Sequence, residues 1–186
     1  EETGLPIFLN LDHGKILEYI KEAIDAGYNA VHFDGSELIL KENVKMTQRI
    51  AKVTEKKRVL IEGEVGIIGG ELTDAQEAEK FVQETKIDSL AINIGTWHGL
   101  GEKAGINFQR LEEINKRAKR VFLVLHGGSG VPDSHIKKAI ELGIAKININ
   151  TELRVAFTGA LKKALNENPE ETTPYKYMIA VIEAVQ

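Results

Sequence analysis

The feature that most restricts the fold of this chain is a strand–helix unit that repeats six times along its 186 residues. Short apolar runs bounded by glycine or polar residues predict strands, and each is followed by a segment with the period of an amphipathic helix. Such alternation predicts a parallel sheet with right-handed helical crossovers. The predicted strands are residues 7–11, 30–33, 58–61 with a continuation to 64, 89–94, 121–125 and 146–150.

The intervening segments carry helix start and stop signals. Gly27 marks the end of the first helix, Thr73 and Gln76 form a capping box for the third, and Thr151 is the expected cap of the sixth. The dinucleotide-binding and P-loop glycine patterns are both absent. The predicted helices are residues 15–26, 43–54, 73–84, 108–118, 133–142 and 151–165, with a last one that begins at Pro174.

Composition places the chain among ordinary globular proteins. Hydrophobic residues make up 42% and charged residues 28%, and the length suits one domain spanning residues 1–186. A net charge of −4 gives no reason to expect nucleic acid or an anionic membrane as a partner. The chain has no cysteine, which excludes disulfides and thiolate chemistry and agrees with a cytoplasmic location. No apolar run approaches the ~20 residues that span a bilayer.

Nearly every predicted strand ends in an ionisable side chain. Three of the five histidines lie at strand ends, and glycine follows each of them. Three neutral imidazoles leave a zinc ion its full charge and an open position, as in a catalytic site. The strand-end residues are Asp12, His13, Asp34, Glu64, His98 and His126, and the sixth strand ends in Asn148, Asn150 and Thr151.

The strand-end histidines distinguish an open sheet from a barrel. In a flat sheet the first and fifth strands would lie four spacings, roughly 19 Å, apart, and ligands could not converge on one ion. Curling the sheet into a barrel brings the same strand ends around one mouth. The metal hypothesis and the barrel hypothesis therefore support each other. His32 inside a strand and His135 on a helix are interpreted as structural or solvated residues.

Two turns are predicted to bind an anion. The glycine-rich turn 127–130 follows the strand that ends at His126, and the turn 148–151 follows the sixth strand; each leads into a helix. Glycine allows backbone N–H groups to approach an anion, and a helix N-terminus adds partial positive charge. We expect both turns to present N–H groups to one phosphate.

These strand-end motifs resemble those of the class II, zinc-dependent fructose-bisphosphate (ketose-bisphosphate) aldolases. They follow the order found in that family and cover nearly the whole chain. The loop 69–72 is shorter than in the family, which leaves its proton-transfer group unassigned. The matching segments are residues 10–14, 34–36, 62–66, 94–99, 125–130 and 146–154.

The resemblance implies a (β/α)8 TIM-type barrel, of which six strand–helix units are visible and the first two strands would precede residue 1. It implies a homodimer or homotetramer and a zinc cofactor held by His13, His98 and His126, with Asp12 as the acid/base residue. Asp34 and Glu64 match carboxylates around an alternative metal position, which could take a second divalent or a monovalent cation. The residues that match the binding site for the dihydroxyacetone phosphate portion are Gly99, Gly127, Ser129, Asn148, Asn150 and Thr151.

The activity implied by the resemblance is the glycolytic cleavage of fructose 1,6-bisphosphate, a small-molecule sugar bisphosphate. The products are dihydroxyacetone phosphate and glyceraldehyde 3-phosphate, formed reversibly through a zinc-stabilised enediolate. Two alternatives stay open at this point. The substrate could be tagatose 1,6-bisphosphate, which differs in stereochemistry at one carbon, or the six-strand chain could be a non-catalytic phosphosugar-binding fragment.

Overall fold

The computed structural model describes residues 4–99 and 105–186, which contain a six-stranded sheet whose strand order follows the chain. All five neighbouring pairs are parallel, which confirms the predicted α/β class. The strands are β1 (Asn10–Gly14), β2 (Ala30–Phe33), β3 (Leu60–Val65), β4 (Ser89–Ile92), β5 (Phe122–Leu125) and β6 (Ile144–Ile147).

Helices connect the strands and bury their apolar faces. Ile50, Phe81 and Leu111 come from three successive helices, are fully buried, and share one core cluster with strand residues such as Val31 and Leu90. This core fixes the position of each strand end. The helices are α1 (Leu17–Asp25), α2 (Leu40–Lys57), α3 (Ala75–Glu84), α4 (Phe108–Arg117), α5 (Asp133–Glu141), α6 (Thr151–Glu167) and α7 (Pro174–Val185).

The sheet is curled. His13 on β1 and His126 after β5 lie with ring nitrogens 3.2 Å apart, although a flat sheet would separate their strands by roughly 19 Å. Lys146 on β6 likewise reaches Glu62 on β3, at 2.7 Å. The described residues therefore form a six-stranded partial barrel with β1 and β6 at its edges. The closed eight-stranded form is not present in residues 4–99 and 105–186.

Both edge strands differ from their predicted positions. The first begins at Asn10 rather than Ile7, because pairing with β2 starts only at Asn10 opposite Ala30. Ile7 is accordingly 88% exposed. The sixth strand ends at Ile147, because the next residue, Asn148, pairs with the turn after β5: its carbonyl accepts from the Gly128 N–H.

Two predicted helix caps are wrong. Asp74, not Thr73, caps α3 and accepts hydrogen bonds from the backbone N–H groups of Gln76 and Glu77. Thr73 instead donates to the carbonyl of Val65 at 2.6 Å, which ties the end of β3 to the helix that follows. At α6, Asn150 occupies the cap position and Thr151 is already helical.

Among the described residues, no helix combines the length and apolar character needed to cross a membrane.

Candidate metal centre

Four histidine rings gather at the carboxyl ends of the strands. His13 lies at the centre, with ring centroids 4.8 Å from His32, 4.8 Å from His126 and 5.2 Å from His98. The three histidines predicted as ligands are therefore neighbours in the structure. His135, on α5, packs instead against Phe108.

Two of the histidines each have a carboxylate within hydrogen-bond distance of one ring nitrogen. The Nδ1 atom of His13 lies 2.9 Å from Asp34, and the Nε2 atom of His126 lies 2.9 Å from Glu62. Because a carboxylate can only accept, each of these ring nitrogens carries the hydrogen and donates it. In the neutral form of both rings, which is the form that binds a metal, the lone pairs lie on His13 Nε2 and His126 Nδ1, and these two atoms are 3.2 Å apart.

Two facing lone pairs repel unless a proton or a metal ion lies between them. A separation of 3.2 Å suits two nitrogen ligands of one metal ion with bonds of ~2.0–2.1 Å. Asp12, His13, His32 and His126 each offer a donor atom, and these four atoms lie within 4.8 Å of one another. Imidazole and carboxylate donors of this kind suit zinc and other divalent transition metals. The residues present therefore fit the metal that the sequence motifs imply.

His98 lies on the outer side of this group. It is exposed, and its ring centroid lies 6.0 Å from that of His126, farther than His13 or His32. Burial and the positive charges of His13 and His126 lower the pKa of His98, which favours the neutral imidazole. A neutral ring is the form that binds a metal.

A second group of possible metal ligands lies beside the first and shares His13 with it. His13, Asp34 and Glu64 offer atoms within 4.8 Å of one another, at the position where an alternative cation was expected. The Glu64 Oε2 atom and His32 Nε2 are 3.1 Å apart, but both are buried without a hydrogen-bond partner in the described part of the chain. A buried carboxylate is costly unless it is paired, so Glu64 together with Asp34 fits a cation bound beside His13.

Asp12 is the carboxylate most open to solvent in the cluster. Its side chain is 53% exposed, and Asn148 Nδ2 donates to its Oδ1 at 3.2 Å. His32 lowers the pKa of Asp12, as do the positive charges of His13 and His126, and the result is about 2 despite the opposite effect of burial. Asp12 is therefore ionised at neutral pH and can accept a proton from a bound molecule.

Sequence reasoning missed His32, which is fully buried beside the predicted ligands. Its Nδ1 atom accepts the backbone N–H of His13 at 3.1 Å. His13 needs this support because its φ of 51° is left-handed, a conformation that is strained for a side chain of this size. The usable signal was strand alternation, since His32 and Asp34 are two residues apart and point to the same side.

Glu62 was missed as well, although it lies in one of the quoted motifs. It is 4% exposed and touches both His126 and Lys146. Burial raises the pKa of Glu62, but the hydrogen bond from His126 and the charges of His32 and Lys146 outweigh it and lower the pKa to about 2.

The ionised state of Glu62 predicts an acid sensitivity of the fold. A carboxyl with a folded pKa of about 2 and an ordinary value of 4.5 stabilises the protein above pH ~4.5, and this stabilisation disappears as the pH falls towards 2. We expect the free energy of unfolding of the metal-free protein to fall more steeply over this range in wild type than in Glu62→Gln. Guanidinium unfolding at a series of pH values measures both slopes. Parallel curves would contradict the assignment.

All six residues predicted to bind the substrate line one pocket of about 210 Å³ beside the histidines. Asp12, His13 and His98 form part of its wall, and Arg154, which sequence reasoning did not single out, adds a cation. The pocket adjoins a wider groove that shares Arg154 and also contains Lys162. The predicted residues that line the pocket are Gly99, Gly127, Ser129, Asn148, Asn150 and Thr151.

The prediction that the turns 127–130 and 148–151 present their N–H groups to one phosphate is partly wrong. The N–H groups of Gly128 and Gly130 already donate within the chain, to the Asn148 carbonyl and to the Glu152 carboxylate. The Asn150 N–H donates to Ser129 Oγ at 3.2 Å. These three N–H groups bind the two turns to each other, so they do not face a common anion.

Ser129 consequently has a structural contact at the start of α6. Its Oγ accepts from the backbone N–H groups of Asn150 and Glu152, which have no partner within the helix because they lie at its N-terminus. We expect Ser129→Ala to lower the free energy of unfolding by about 1 kcal/mol, the usual effect of losing such a cap. Thermal or denaturant unfolding tests this value, with Ser134→Ala, on α5, as a matched substitution. Equal stability of both variants would contradict the capping role.

The chain is similar to known proteins in both sequence and fold. The family model for class II fructose-bisphosphate aldolase matches residues 1–186. The YdjI aldolase from Escherichia coli K12 is 33% identical, with a TM-score of 0.81 over 99% of this chain and 66% of that one. A candidate fructose-1,6-bisphosphate aldolase from Coccidioides immitis is 29% identical, with a TM-score of 0.86 over 99% of this chain and 69% of that one.

A third solved structure supports the fold alone. It is the fructose-bisphosphate aldolase from Campylobacter jejuni, which is 22% identical, with a TM-score of 0.84 over 98% of this chain and 68% of that one. The chain spans slightly less than two thirds of the YdjI protein and about two thirds of the other two.

Proposed function

This chain belongs to the family of class II fructose-bisphosphate aldolases, and on that premise we propose that its protein is a metal-dependent aldolase acting on fructose 1,6-bisphosphate. The products are dihydroxyacetone phosphate and glyceraldehyde 3-phosphate, and the reaction is reversible. The observation that carries the proposal is the approach of two ring nitrogens, His13 Nε2 and His126 Nδ1, to 3.2 Å beside the ionised Asp12.

The metal site is assigned to His13, His98 and His126. A divalent ion such as Zn²⁺ bound there supplies a Lewis acid that stabilises negative charge developing on a carbonyl oxygen of the substrate. The proposed second position, for a further divalent or a monovalent cation, uses Asp34 and Glu64. Both lie close to His13 Nδ1, at 2.9 Å and 3.9 Å.

Asp12 is assigned the proton transfer. A retro-aldol cleavage removes the proton of a substrate hydroxyl while the neighbouring carbon–carbon bond breaks, so it needs a base in contact with that hydroxyl. Asp12 has the exposure to meet a substrate, and the amide of Asn148 holds its Oδ1 from one side. Its position next to His13 in the chain keeps the base beside the metal site.

The pocket chemistry suits a phosphorylated sugar. Gly99, Gly127 and Thr151 offer a small polar wall, and Arg154 supplies a fixed positive charge for a phosphate. Lys162 extends the positive charge into the adjoining groove, which gives a molecule with two phosphates a second cation. The expected cytoplasmic location and the assembly into a homodimer or homotetramer stay predictions.

A coupled assay tests the proposal. The intact protein, loaded with Zn²⁺, is expected to cleave fructose 1,6-bisphosphate faster than tagatose 1,6-bisphosphate and to lose turnover after chelation. Faster turnover of the tagatose isomer would reassign the substrate within the same reaction. Phosphosugar binding without any turnover would instead indicate the non-catalytic alternative.

A further inference from the structure

Glu62 occupies an unusual position for a carboxylate. It projects from the middle of the sheet, is 4% exposed, and lies outside the pocket that the substrate residues line. Each of its oxygens has a different partner. His126 Nε2 lies 2.9 Å from Oε1, and Lys146 Nζ lies 2.7 Å from Oε2, with Ser89 Oγ at 3.5 Å from the same oxygen.

The contact with His126 decides which nitrogen of that ring is available. A neutral imidazole has one donor and one acceptor nitrogen, and the partner of one determines the role of the other. With Nε2 donating to Glu62, the lone pair stays on Nδ1, which faces His13 Nε2. The backbone of His126 is held separately, because Thr96 Oγ1 donates to its carbonyl at 2.7 Å. The Asn148 amide nitrogen lies 3.2 Å from Nε2 and 3.4 Å from Nδ1, but as a donor it cannot accept the ring hydrogen. Glu62 is the acceptor at 2.9 Å from Nε2, so it selects the tautomer.

Lys146 controls the orientation of Glu62. Its ammonium group binds the oxygen that His126 does not use, so the carboxylate plane is fixed from both sides. The pair also spans the inside of the curled sheet, since Glu62 lies on β3 and Lys146 on the edge strand β6. A second histidine, His32, is too far to compete, with Nδ1 3.9 Å from Glu62 Oε1.

We propose that Glu62 and Lys146 are a positioning pair that fixes the orientation and tautomer of His126 so that Nδ1 is presented to the metal. The inference rests on the proposed function, because it takes His126 as a ligand. Removing a residue that hydrogen-bonds to a metal-binding histidine typically weakens metal affinity by 10–100-fold. Neither residue lines the substrate pocket, and Glu62 is closer to His126, at 2.9 Å, than to His32, at 3.9 Å, so the effect reaches the metal through His126.

Metal affinity in the intact protein is the direct test. Zn²⁺ affinity is measured by competition with a chelator in wild type, Glu62→Gln, Lys146→Met and Lys146→Arg, and Co²⁺ absorption reports the geometry of the ligands. We expect affinity to fall about 10–100-fold in Glu62→Gln and about tenfold in Lys146→Met, with an altered Co²⁺ spectrum in both. Lys146→Arg, which keeps the charge and the donor, is expected to stay within a few-fold of wild type.

A matched control comes from the C-terminal segment, at residues that do not line the pocket or the adjoining groove. Lys176 forms an ion pair of similar length with Glu171, at 2.8 Å, so Lys176→Met removes a comparable contact away from the site. Its Zn²⁺ affinity is expected to equal that of wild type. Thermal unfolding of all metal-free variants separates a general loss of stability from a change at His126.

The possible outcomes distinguish failure of the positioning pair from failure of the proposed function. Unchanged Zn²⁺ affinity and Co²⁺ spectrum in Lys146→Met overturn the positioning pair, even if its melting temperature falls, because that result indicates a purely structural contact. If Glu62→Gln does not fold, the comparison of Lys146→Met with Lys146→Arg still decides. A wild-type protein that binds no Zn²⁺ contradicts the proposed function itself.

Discussion

Replacing Asp12 by alanine is expected to lower kcat by about 10²–10⁴-fold while the metal stays bound. Asp12 is half-exposed, lines the pocket and is ionised, with a pKa of about 2. Its Oδ1 accepts a hydrogen bond from the Asn148 amide and lies 3.6 Å from His32 Nδ1. Removal of the carboxylate takes away the base without disturbing the lone pairs of His13 and His126. KM is expected to change much less than kcat, because the loss falls on proton transfer.

Steady-state kinetics and metal analysis on the same preparation measure both quantities. Asp25→Ala is the matched control, since Asp25 forms an exposed ion pair with Lys57 and does not line the pocket. It is expected to behave like wild type. Loss of the metal together with activity in Asp12→Ala would show that Asp12 is a ligand, as its place within the group of four donors also permits.

The second large effect is expected from His98→Ala, which should weaken Zn²⁺ binding by more than about 100-fold. Loss of a direct ligand exceeds the 10–100-fold effect of losing a partner behind a ligand. His98 is exposed, so the substitution leaves no cavity in the core and the protein should fold normally. Turnover is expected to fall with the metal and to return at high Zn²⁺ concentration.

His135→Ala provides the same substitution at a histidine that packs against Phe108 and belongs to neither candidate metal group. Chelator competition should give it wild-type affinity. If His98→Ala also retains wild-type affinity, the ligand set is the group Asp12, His13, His32 and His126, and the assignment of His98 fails.

The central strands were easier to predict than the edges. Residues 89–94 and 121–125 enclose β4 and β5, because a strand buried between two neighbours needs a continuous apolar run. β1 and β6 each have one neighbour, so pairing rather than hydrophobicity decides where they begin and end. The apolar character of Ile7 could not reveal that the ladder with β2 begins only at Asn10.

The site was predictable where a residue type alone suggests its chemistry. Histidine followed by glycine at a strand end identified His13, His98 and His126. His32 and Glu62 precede their strand ends by one and three residues, and in a flat sheet such positions would belong to the core. Only the curvature of the sheet brings them next to His126, and curvature depends on contacts between distant segments.

The distance along the sequence between contacting site residues has a consequence for the order in which the protein folds. His13 meets His126 across 113 residues, and Asp12 meets Asn148 across 136. Closing such long loops is unfavourable until the intervening strands have paired, so the metal donors assemble late. An ion that binds only this finished arrangement pulls the folding equilibrium towards it, by about 2.7 kcal/mol at a free concentration of 100 Kd. Metal uptake during refolding should therefore lag behind helix formation and coincide with completion of the sheet.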